Sequence, residues 1–241
     1  MQVRYVIKFT KESEIKFISH LDLMRTIQRI IRRGKLPVEY SKGFNPHMNL
    51  SLAQPLSVGV YSSGEYLDVV FTEEVEEKVI LEKLNDSSPR GIRFLEAIKV
   101  GDTLPNERKI PQVMALLDGA SYKVKIKYSD TTKLNEELKL LEGKEQWTTV
   151  KKSKSGEKEV DIKAMIKEFN YNITGNTLEI DTLLPCGSRE SLSPELLSNY
   201  IKANTNGAIE NSFMDIMRVE MYTLREGQYV AIDSYFKNLK R

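Results

Sequence analysis

Residues 17–59 read FISHLDLMRTIQRIIRRGKLPVEYSKGFNPHMNLSLAQPLSVG and hold both histidines of the chain, an arginine-rich stretch and a Gly-Phe-Asn-Pro-His turn. Ser19 is a typical helix N-cap, and Asp22 stands three residues later at the position of a capping-box carboxylate. Gly34 is a suitable residue to end the helix. We therefore predict a helix over residues 20–33 and assign the neighbouring segments outward from it.

The predicted helix has an apolar side and a basic side. The apolar side would face the core and consists of Leu23, Met24, Ile27, Ile30 and Ile31. The opposite side carries arginines at spacings of i, i+4, i+7 and i+8, namely Arg25, Arg29, Arg32 and Arg33. Such a row can neutralise nucleic-acid phosphates, but solvated arginines are also common on any amphipathic surface helix.

Strand patterns flank this helix. Alternating apolar residues predict a strand over 3–9, and further strands are expected around 38–40, over 65–71 and over 92–100. A second helix is predicted over 73–84, capped by Thr72. The resulting order, β-α-β-β-α-β, is the ferredoxin-like pattern.

The second half repeats this order less regularly, after a connector at 101–111. Its predicted elements are a strand at 120–128, a helix at 133–141, strands at 147–152, 168–173 and 177–183, a helix from Ser193 to Ala203 and a strand at 215–224. We therefore predict an α+β protein of two tandem ferredoxin-like domains, 1-104 and 112-241. No residue-level repeat is visible, so the duplication rests on element order alone.

Composition limits the classes of protein to consider. The net charge is only +2, but residues 1–50 hold ten Lys and Arg against four Asp and Glu, which suggests an anionic partner such as nucleic acid. A single cysteine, Cys186, excludes a disulfide framework within the chain. No apolar run is long enough to span a membrane, so we expect a soluble, cytoplasmic protein.

The two histidines define a candidate polar cluster. His20 begins the predicted helix, Asp22 lies two residues later, and His47 lies in a Gly/Asn/Pro turn. Brought together, these side chains could bind a divalent transition metal, or could act as acid and base on a phosphodiester or a nucleobase. Alternatively, His20 packs locally and His47 only hydrogen-bonds its own turn. We predict no metal at this cluster and no cofactor.

The turn at residues 43–47 combines side chains that an ordinary turn rarely combines. Gly43 permits a positive φ, Asn-Pro fixes a turn, and Phe44 can plug the core or offer its ring to a stacked base. We predict that Lys42, Phe44 and Asn45 bind nucleic acid together with the four arginines of the helix.

The remaining motifs favour structure over chemistry. Lys151, Lys152 and Lys154 are expected at a solvated hairpin tip, and Cys186-Gly187-Ser188-Arg189 reads as a turn between a strand and a helix. The chain has no Walker A loop, no G-x-S-x-G elbow, no CxxxCxxC motif and no dinucleotide-binding fingerprint.

The first 70 residues hold a dense set of family-like motifs: Phe17-Ile18-Ser19-His20-Leu21-Asp22-Leu23-Met24-Arg25, Arg29, Arg32-Arg33, Pro37, Tyr40-Ser41, Gly43-Phe44-Asn45-Pro46-His47, Leu50-Ser51, Pro55-Leu56, Val58-Gly59 and Glu65-Tyr66-Leu67-Asp68. With these motifs the chain resembles the uncharacterised "radical SAM-linked" family, whose members are encoded beside, or fused to, a radical S-adenosylmethionine protein. Beyond residue 70 the resemblance to the family is weak, and only residues 217–220 resemble it. Met48 stands where the family often has a second proline.

The resemblance implies a partner rather than a reaction. The chain lacks the CxxxCxxC that would hold the [4Fe–4S] cluster of the radical enzyme, so it would be a substrate-holding subunit. A tRNA or ribosomal RNA substrate would suit the basic helix and open sheet faces, by fold analogy.

Three hypotheses follow. The first is a non-catalytic RNA-binding or substrate-presenting partner of a radical S-adenosylmethionine protein, in RNA modification or maturation. The second is a metal-independent endoribonuclease or RNA-modifying enzyme that uses His20 and His47. The third is a protein–protein adaptor.

Overall fold

The computed structural model describes residues 2–101, 109–153 and 156–239. The chain divides into two compact units, the first made of Met1–Asp118 with Glu220–Arg241 and the second of Gly119–Val219. Both units contain strands and helices, so the predicted α+β class is confirmed.

The first unit contains all of residues 17–59. Its elements are β1 (Val3–Lys11), α1 (His20–Arg33), β2 (Leu50–Leu52), β3 (Tyr61–Phe71), α2 (Glu77–Asp86), β4 (Phe94–Lys99), α3 (Val113–Leu116) and, near the end of the chain, β11 (Gln228–Ala231) and α6 (Ile232–Leu239). Strand β10 (Asp215–Arg225) begins in the second unit and ends in the first.

Strand β1 lies between two antiparallel neighbours. It pairs with β3 in a register that sets Val3 opposite Phe71 and Ile7 opposite Leu67, and with β4 on its other side. Strand β2 pairs antiparallel with β3. The spatial order of these four strands is therefore β4-β1-β3-β2.

Both faces of β1 are covered. Tyr5, Ile7 and Phe9 point into the core, but Val6 and Lys11 are also buried, so the strict alternation of one buried and one solvated face does not hold. Fold analogy predicts open sheet faces that could bind RNA. Along β1 that expectation is wrong, because the strand has no solvated face.

Helix α1 begins and ends where the sequence predicts, and its apolar side packs into the core. Leu23, Ile27, Ile30 and Ile31 are each at most 3% exposed. Burying one such side chain contributes about 1.5–3 kcal/mol, so these residues fix which side of the helix faces inward. The arginines are left on the outer side.

The second unit contains its own set of strands and helices. They are β5 (Gly119–Lys127), α4 (Leu134–Gly143), β6 (Thr148–Ser153), β7 (Gly156–Asp161), β8 (Glu168–Thr174), β9 (Thr177–Pro185) and α5 (Pro194–Ala203). Strand β9 pairs antiparallel with β5 and with β8. Strands β6 and β7 form a separate hairpin. Trp147 is buried beside that hairpin, where its Nε1 donates to the carbonyl of Leu141 over 2.9 Å.

Some predicted elements differ from the structure. The strand expected around 38–40 consists of two isolated bridges, from Val38 to Phe71 and from Tyr40 to Met48, because the turn that follows Tyr40 brings the chain back on itself. The strand in that place is β2. The predicted second helix begins four residues late, since Glu76 and not Thr72 precedes it.

The predicted domain limits also differ from the observed units. The unit boundary lies between Asp118 and Gly119, and residues 220–241 belong with the first unit. Residues 102–108 of the expected connector, and Lys154 of the expected hairpin tip, lie outside the described residues. Within the described chain, no helix is both long enough and apolar enough to cross a membrane.

Candidate functional site

The start of α1 is held by its own side chains. The Ser19 hydroxyl accepts a hydrogen bond from the backbone N–H of Asp22 over 3.2 Å and donates one to the Asp22 carboxylate over 2.7 Å. Asp22 is therefore engaged in capping, where the helix dipole favours its negative charge. This predicted site residue has a structural task.

The predicted arginine row lies on the solvent side of α1. Arg25, Arg29, Arg32 and Arg33 are all exposed. Arg25 forms an ion pair with Asp22 at 3.3 Å, but both side chains are more than half exposed, so the pair contributes at most about 1 kcal/mol. No salt bridge holds Arg29, Arg32 or Arg33 in the part of the chain that the structure describes. Their charges remain available to an anionic partner.

Residues 41–47 form a tight turn after α1. The backbone N–H of Ser41 donates to the carbonyl of His47 over 2.8 Å, and the Ser41 hydroxyl lies 2.8 Å from His47 Nδ1. Gly43 has a φ of +131°, which a side chain would strain. The predicted residues Lys42, Phe44 and Asn45 are all exposed at the tip of this turn.

Phe44 is the most exposed large apolar side chain of the described residues, with a relative exposure of 103%. A phenylalanine in contact with no core gains nothing from burial within the chain. The alternative that Phe44 plugs the core is therefore wrong. A free aromatic ring on a fixed turn suits a partner that binds it.

The turn lies at the same end of the first unit as the last arginines of α1. Glu39 donates its backbone N–H to the carbonyl of Val70, and Thr72 donates to the carbonyl of Pro37, so the segment after α1 is tied to the end of β3. Only a few residues separate Arg33 from this attachment. The arginine row therefore leads toward the turn of residues 41–47.

His20 lies at the opposite end of β1 from His47. Lys11 Nζ donates to the carbonyl of Ile18, which fixes the start of α1 beside the last residue of β1. His47 instead lines a cavity with Arg4, near the first residues of β1. The seven steps along the strand from Arg4 to Lys11 span roughly 23 Å.

The hypothesis that His20, Asp22 and His47 form one cluster is therefore not supported by the register. The reason is the length of α1, which carries the chain from one end of the sheet to the other between the two histidines. His20 has a buried Nδ1 without a hydrogen-bond partner. His47 belongs to a different surface.

That surface contains a cavity of about 240 Å³. Its lining includes polar side chains from four segments of the first unit: Arg4, Ser41, His47, Ser51, Asp68 and Gln112. The Ser51 hydroxyl is buried and has no hydrogen-bond partner. A buried polar atom without a partner is uncommon in folded proteins and marks a place where a ligand can supply one.

Arg4 and Asp68 form a buried ion pair beside this cavity. Arg4 Nε donates to Asp68 Oδ1 over 2.7 Å, and the backbone N–H of Val113 donates to Asp68 Oδ2 over 2.8 Å. Burial raises the pKa of Asp68 above its ordinary value, although the Arg4 charge and the Val113 hydrogen bond act in the opposite direction.

The first unit contains a second ionic group. Lys8 forms ion pairs with Glu220 and, at 2.8 Å, with Asp233, and the Tyr66 hydroxyl donates to Glu220 over 2.7 Å. Burial opposes the charge of Lys8, but its hydrogen bonds to Asp233 and Glu220 outweigh burial and raise the pKa of Lys8. Burial, together with the Glu220 charge, raises the pKa of Tyr66 above that of a free phenol.

The carboxylate partner responds in the opposite sense. Burial alone would raise the pKa of Asp233, but the hydrogen bond from Lys8 lowers it below its ordinary value. Both ions are therefore stabilised in their charged forms. These side chains tie the end of the chain to β1, which is a structural task.

Several residues of the cavity are not recognisable as site residues from the sequence. Arg4 and Gln112 gave no signal, because an isolated Arg in a strand and an isolated Gln in a connector are usually solvated. Ser51 and Asp68 belonged to the motifs of the family resemblance but were assigned no role. No group of three or more His, Cys, Asp or Glu side chains that could hold a metal occurs within residues 2–101, 109–153 and 156–239.

The solved structures to which the chain is similar include three distant likenesses. The chain is 12% identical to a chain in the structure of an H/ACA RNP bound to a substrate RNA containing 2'-deoxyuridine, with a TM-score of 0.46, covering 92% of this chain and 47% of that chain. A chain in a Cbf5-Nop10-Gar1 complex is 12% identical, with a TM-score of 0.47, and the match covers 90% of this chain and 48% of that chain. An unknown protein from Galdieria sulphuraria is 12% identical, with a TM-score of 0.26, and the match covers 90% of this chain and 96% of that chain.

These likenesses carry no argument about function, since each TM-score is below 0.5. The chain spans about half the length of the first two chains. No curated protein matches the sequence. A family model described as "Uncharacterized protein conserved in bacteria (DUF2344)" matches residues 4–194, which include α1, the turn of residues 41–47 and all of the cavity residues named above. The chain therefore belongs to the DUF2344 family of proteins conserved in bacteria.

Proposed function

We propose that this protein is a non-catalytic RNA-binding subunit that presents an RNA substrate to a radical S-adenosylmethionine protein. The observation that carries the proposal is the complete exposure of Phe44 on a fixed turn at the end of an arginine row. Single-stranded RNA is commonly bound by aromatic rings that stack on bases and by cations that follow the phosphates.

Three arginines of this surface form no ion pair among the described residues, which supports the proposal. Arg29, Arg32 and Arg33 are exposed and, among the described residues, hold no carboxylate. Neutralising an RNA phosphate then releases a counterion without first breaking an ion pair. By contrast, Lys123 and Lys125 of β5 are already paired with Asp181 and Glu179 on β9.

We also propose that each unit is a ferredoxin-like fold. In the first unit, the antiparallel order β4-β1-β3-β2 is what a β-α-β-β-α-β chain of this type requires. In the second unit, the strands pair in the order β5-β9-β8, which matches the order β1-β3-β2 of the first unit. The β6–β7 hairpin is an insertion after α4.

The proposed partner rests on the family resemblance. The motifs of residues 17–68 resemble those of proteins encoded beside or fused to a radical S-adenosylmethionine protein. With one cysteine in residues 1–241, an all-cysteine [4Fe–4S] site must be supplied from outside this sequence. The chain would present tRNA or ribosomal RNA to such a protein. A role without catalysis is consistent with the separation of His20 and His47, which do not form one acid–base centre.

Two measurements test the proposal. First, RNA is recovered with the tagged protein from cells, with and without the gene of the partner, and is sequenced. Enrichment of defined RNAs supports the proposal. Recovery of protein partners with no enriched RNA would instead favour a protein–protein adaptor.

Second, binding to a labelled single-stranded RNA is measured at several salt concentrations for the wild type and for a variant with Arg25, Arg29 and Arg32 changed to Ala. The variant should bind more weakly and with a flatter salt dependence, by a slope of about 0.7 for each lost phosphate contact. The matched control changes Lys123, Lys125 and Lys127 of β5 to Ala. Equal effects of the two triple changes would contradict a localised surface.

A further inference from the structure

We propose that the cavity beside the turn of residues 41–47 receives one unpaired nucleobase of the bound RNA. This rests on the proposed function and adds to it what part of the RNA is read. The feature that carries it is a neutral, hydrogen-bonding cavity at the same end of the first unit as Phe44 and the last arginines of α1.

The charges beside the cavity are already used within the protein. Arg4 donates to Asp68, to the carbonyl of Ile110 over 2.7 Å and to the carbonyl of Pro111 over 2.8 Å. Asp68 accepts from Arg4 and from the backbone of Val113. An anion such as a phosphate would have to displace these bonds, so the cavity favours a neutral group.

Other polar groups of the lining still have hydrogen-bonding capacity. The Ser51 hydroxyl is buried without a partner. His47 is bound through Nδ1 to Ser41, which leaves its second ring nitrogen to face a ligand. Gln112 precedes α3 without capping it through its side chain. A hydroxyl, an imidazole and an amide can together match the donors and acceptors on the edge of a base.

The size of the cavity selects a small ligand. Its volume of about 240 Å³ is below the roughly 300–1,000 Å³ of pockets that enclose drug-sized molecules. A single flat heterocycle is of a suitable size, whereas a complete nucleotide would leave its phosphate outside. That phosphate would then lie on the surface that carries Arg32, Arg33 and Lys42.

The location of the cavity explains how a base would reach it. His47, which lines the cavity, belongs to the same turn as Phe44. A strand of RNA that stacks one base on Phe44 can direct a neighbouring base inward, as proteins that bind extruded bases do. Duplex RNA cannot do so without unpairing.

The test compares single-stranded and duplex RNA. Binding of a labelled ten-nucleotide RNA, alone or annealed to its complement, is measured for the wild type, for Ser51→Val and for Ser51→Ala. Ser51→Val replaces the hydroxyl by two methyl groups at the cavity wall and should weaken single-strand binding about tenfold, the effect of losing one well-bound base, with duplex binding unchanged. Ser51→Ala removes only the hydroxyl and should weaken single-strand binding less.

Controls separate this proposal from the proposed function. Thr148→Val, on an exposed position of β6, should leave both affinities unchanged. The melting temperature of each Ser51 variant is measured, and Ser51→Ala should unfold no earlier than the wild type because it removes an unpartnered buried hydroxyl. If the wild type binds both RNAs and neither Ser51 variant changes single-strand binding, the base site is wrong while RNA binding stands. If the wild type binds neither RNA, both proposals fail.

Discussion

The guanidinium of Arg4 donates a hydrogen bond to the carboxylate of Asp68, a side chain that is only 5% exposed. A buried carboxylate left without its cation costs about 3–5 kcal/mol, because the charge has lost both water and its partner. We expect Arg4→Ala to lower the free energy of unfolding by this amount. Urea denaturation followed by circular dichroism measures it.

The exposed pair of Asp22 and Arg25 provides the matched control. Both side chains are more than half exposed, so Arg25→Ala should change the free energy of unfolding by less than about 1 kcal/mol. A double change of Arg4 and Asp68 to apolar residues should recover part of the loss of Arg4→Ala. Equal costs for Arg4→Ala and Arg25→Ala would contradict the role assigned to the buried pair.

The ion pair of Lys8 and Asp233 makes stability depend on pH at both ends of the scale. The pKa of Asp233 is lowered, so its contribution is present above the ordinary carboxyl range and is lost as the pH falls through the folded-state value, below about pH 4. The pKa values of Lys8 and Tyr66 are raised, so their contributions are present below about pH 10 and are lost as the pH rises further.

Lys8→Met tests this relationship. The change leaves the carboxylates of Glu220 and Asp233 without their cation, and we expect it to destabilise the protein by about 3 kcal/mol at pH 7. Below pH 4 the difference should shrink, because the carboxylates are then neutral. The free energy of unfolding is measured from pH 3 to pH 7 for both proteins, and a constant difference across that range would argue against the ion pair.

Much of the first unit could be predicted from local sequence signals. Ser19 and Gly34 specify the ends of α1, and the 3.6-residue spacing of Leu23 to Ile31 specifies its inner side, since each of these signals depends only on neighbouring residues. The exposure of Phe44 was one of two alternatives that the sequence left open. Deciding between them required the turn's position beyond the edge of β3.

The parts that could not be predicted depend on contacts between distant residues. The cavity joins Arg4, Asp68 and Gln112, and the Lys8 group joins residues more than 200 positions apart. Lys11 lies two residues beyond the strand predicted over 3–9, and in the structure it is buried at the end of β1. Its Nζ donates to the backbone carbonyls of Lys16, Ile18 and Val60. Only the fold shows that these groups meet.

Phe44→Ala should weaken RNA binding without weakening the fold. The ring is fully exposed, so its removal takes nothing from the core, while the loss of one stacked base reduces affinity by about 1–3 kcal/mol. Affinity for single-stranded RNA is measured by fluorescence anisotropy, and stability by thermal unfolding. Leu140→Ala is the control, since Leu140 is 74% exposed on α4 and lies far along the chain from the turn. A loss of affinity of the same size in both variants would show that Phe44 has no special part.

His20 and His47 should behave as independent residues. Because the register of β1 separates them, we expect His47→Ala to weaken RNA binding and His20→Ala to leave it unchanged, with the double variant no weaker than His47→Ala. We further expect the wild-type protein to leave total RNA intact, since its histidines do not share a centre. The measurement is incubation of wild type and the three variants with RNA, read on a denaturing gel, beside the anisotropy titration. Cleavage by the wild type that either single change abolishes would overturn the non-catalytic proposal and restore the enzyme hypothesis. Both imidazoles would then be essential to one acid–base step, which two separated side chains cannot be.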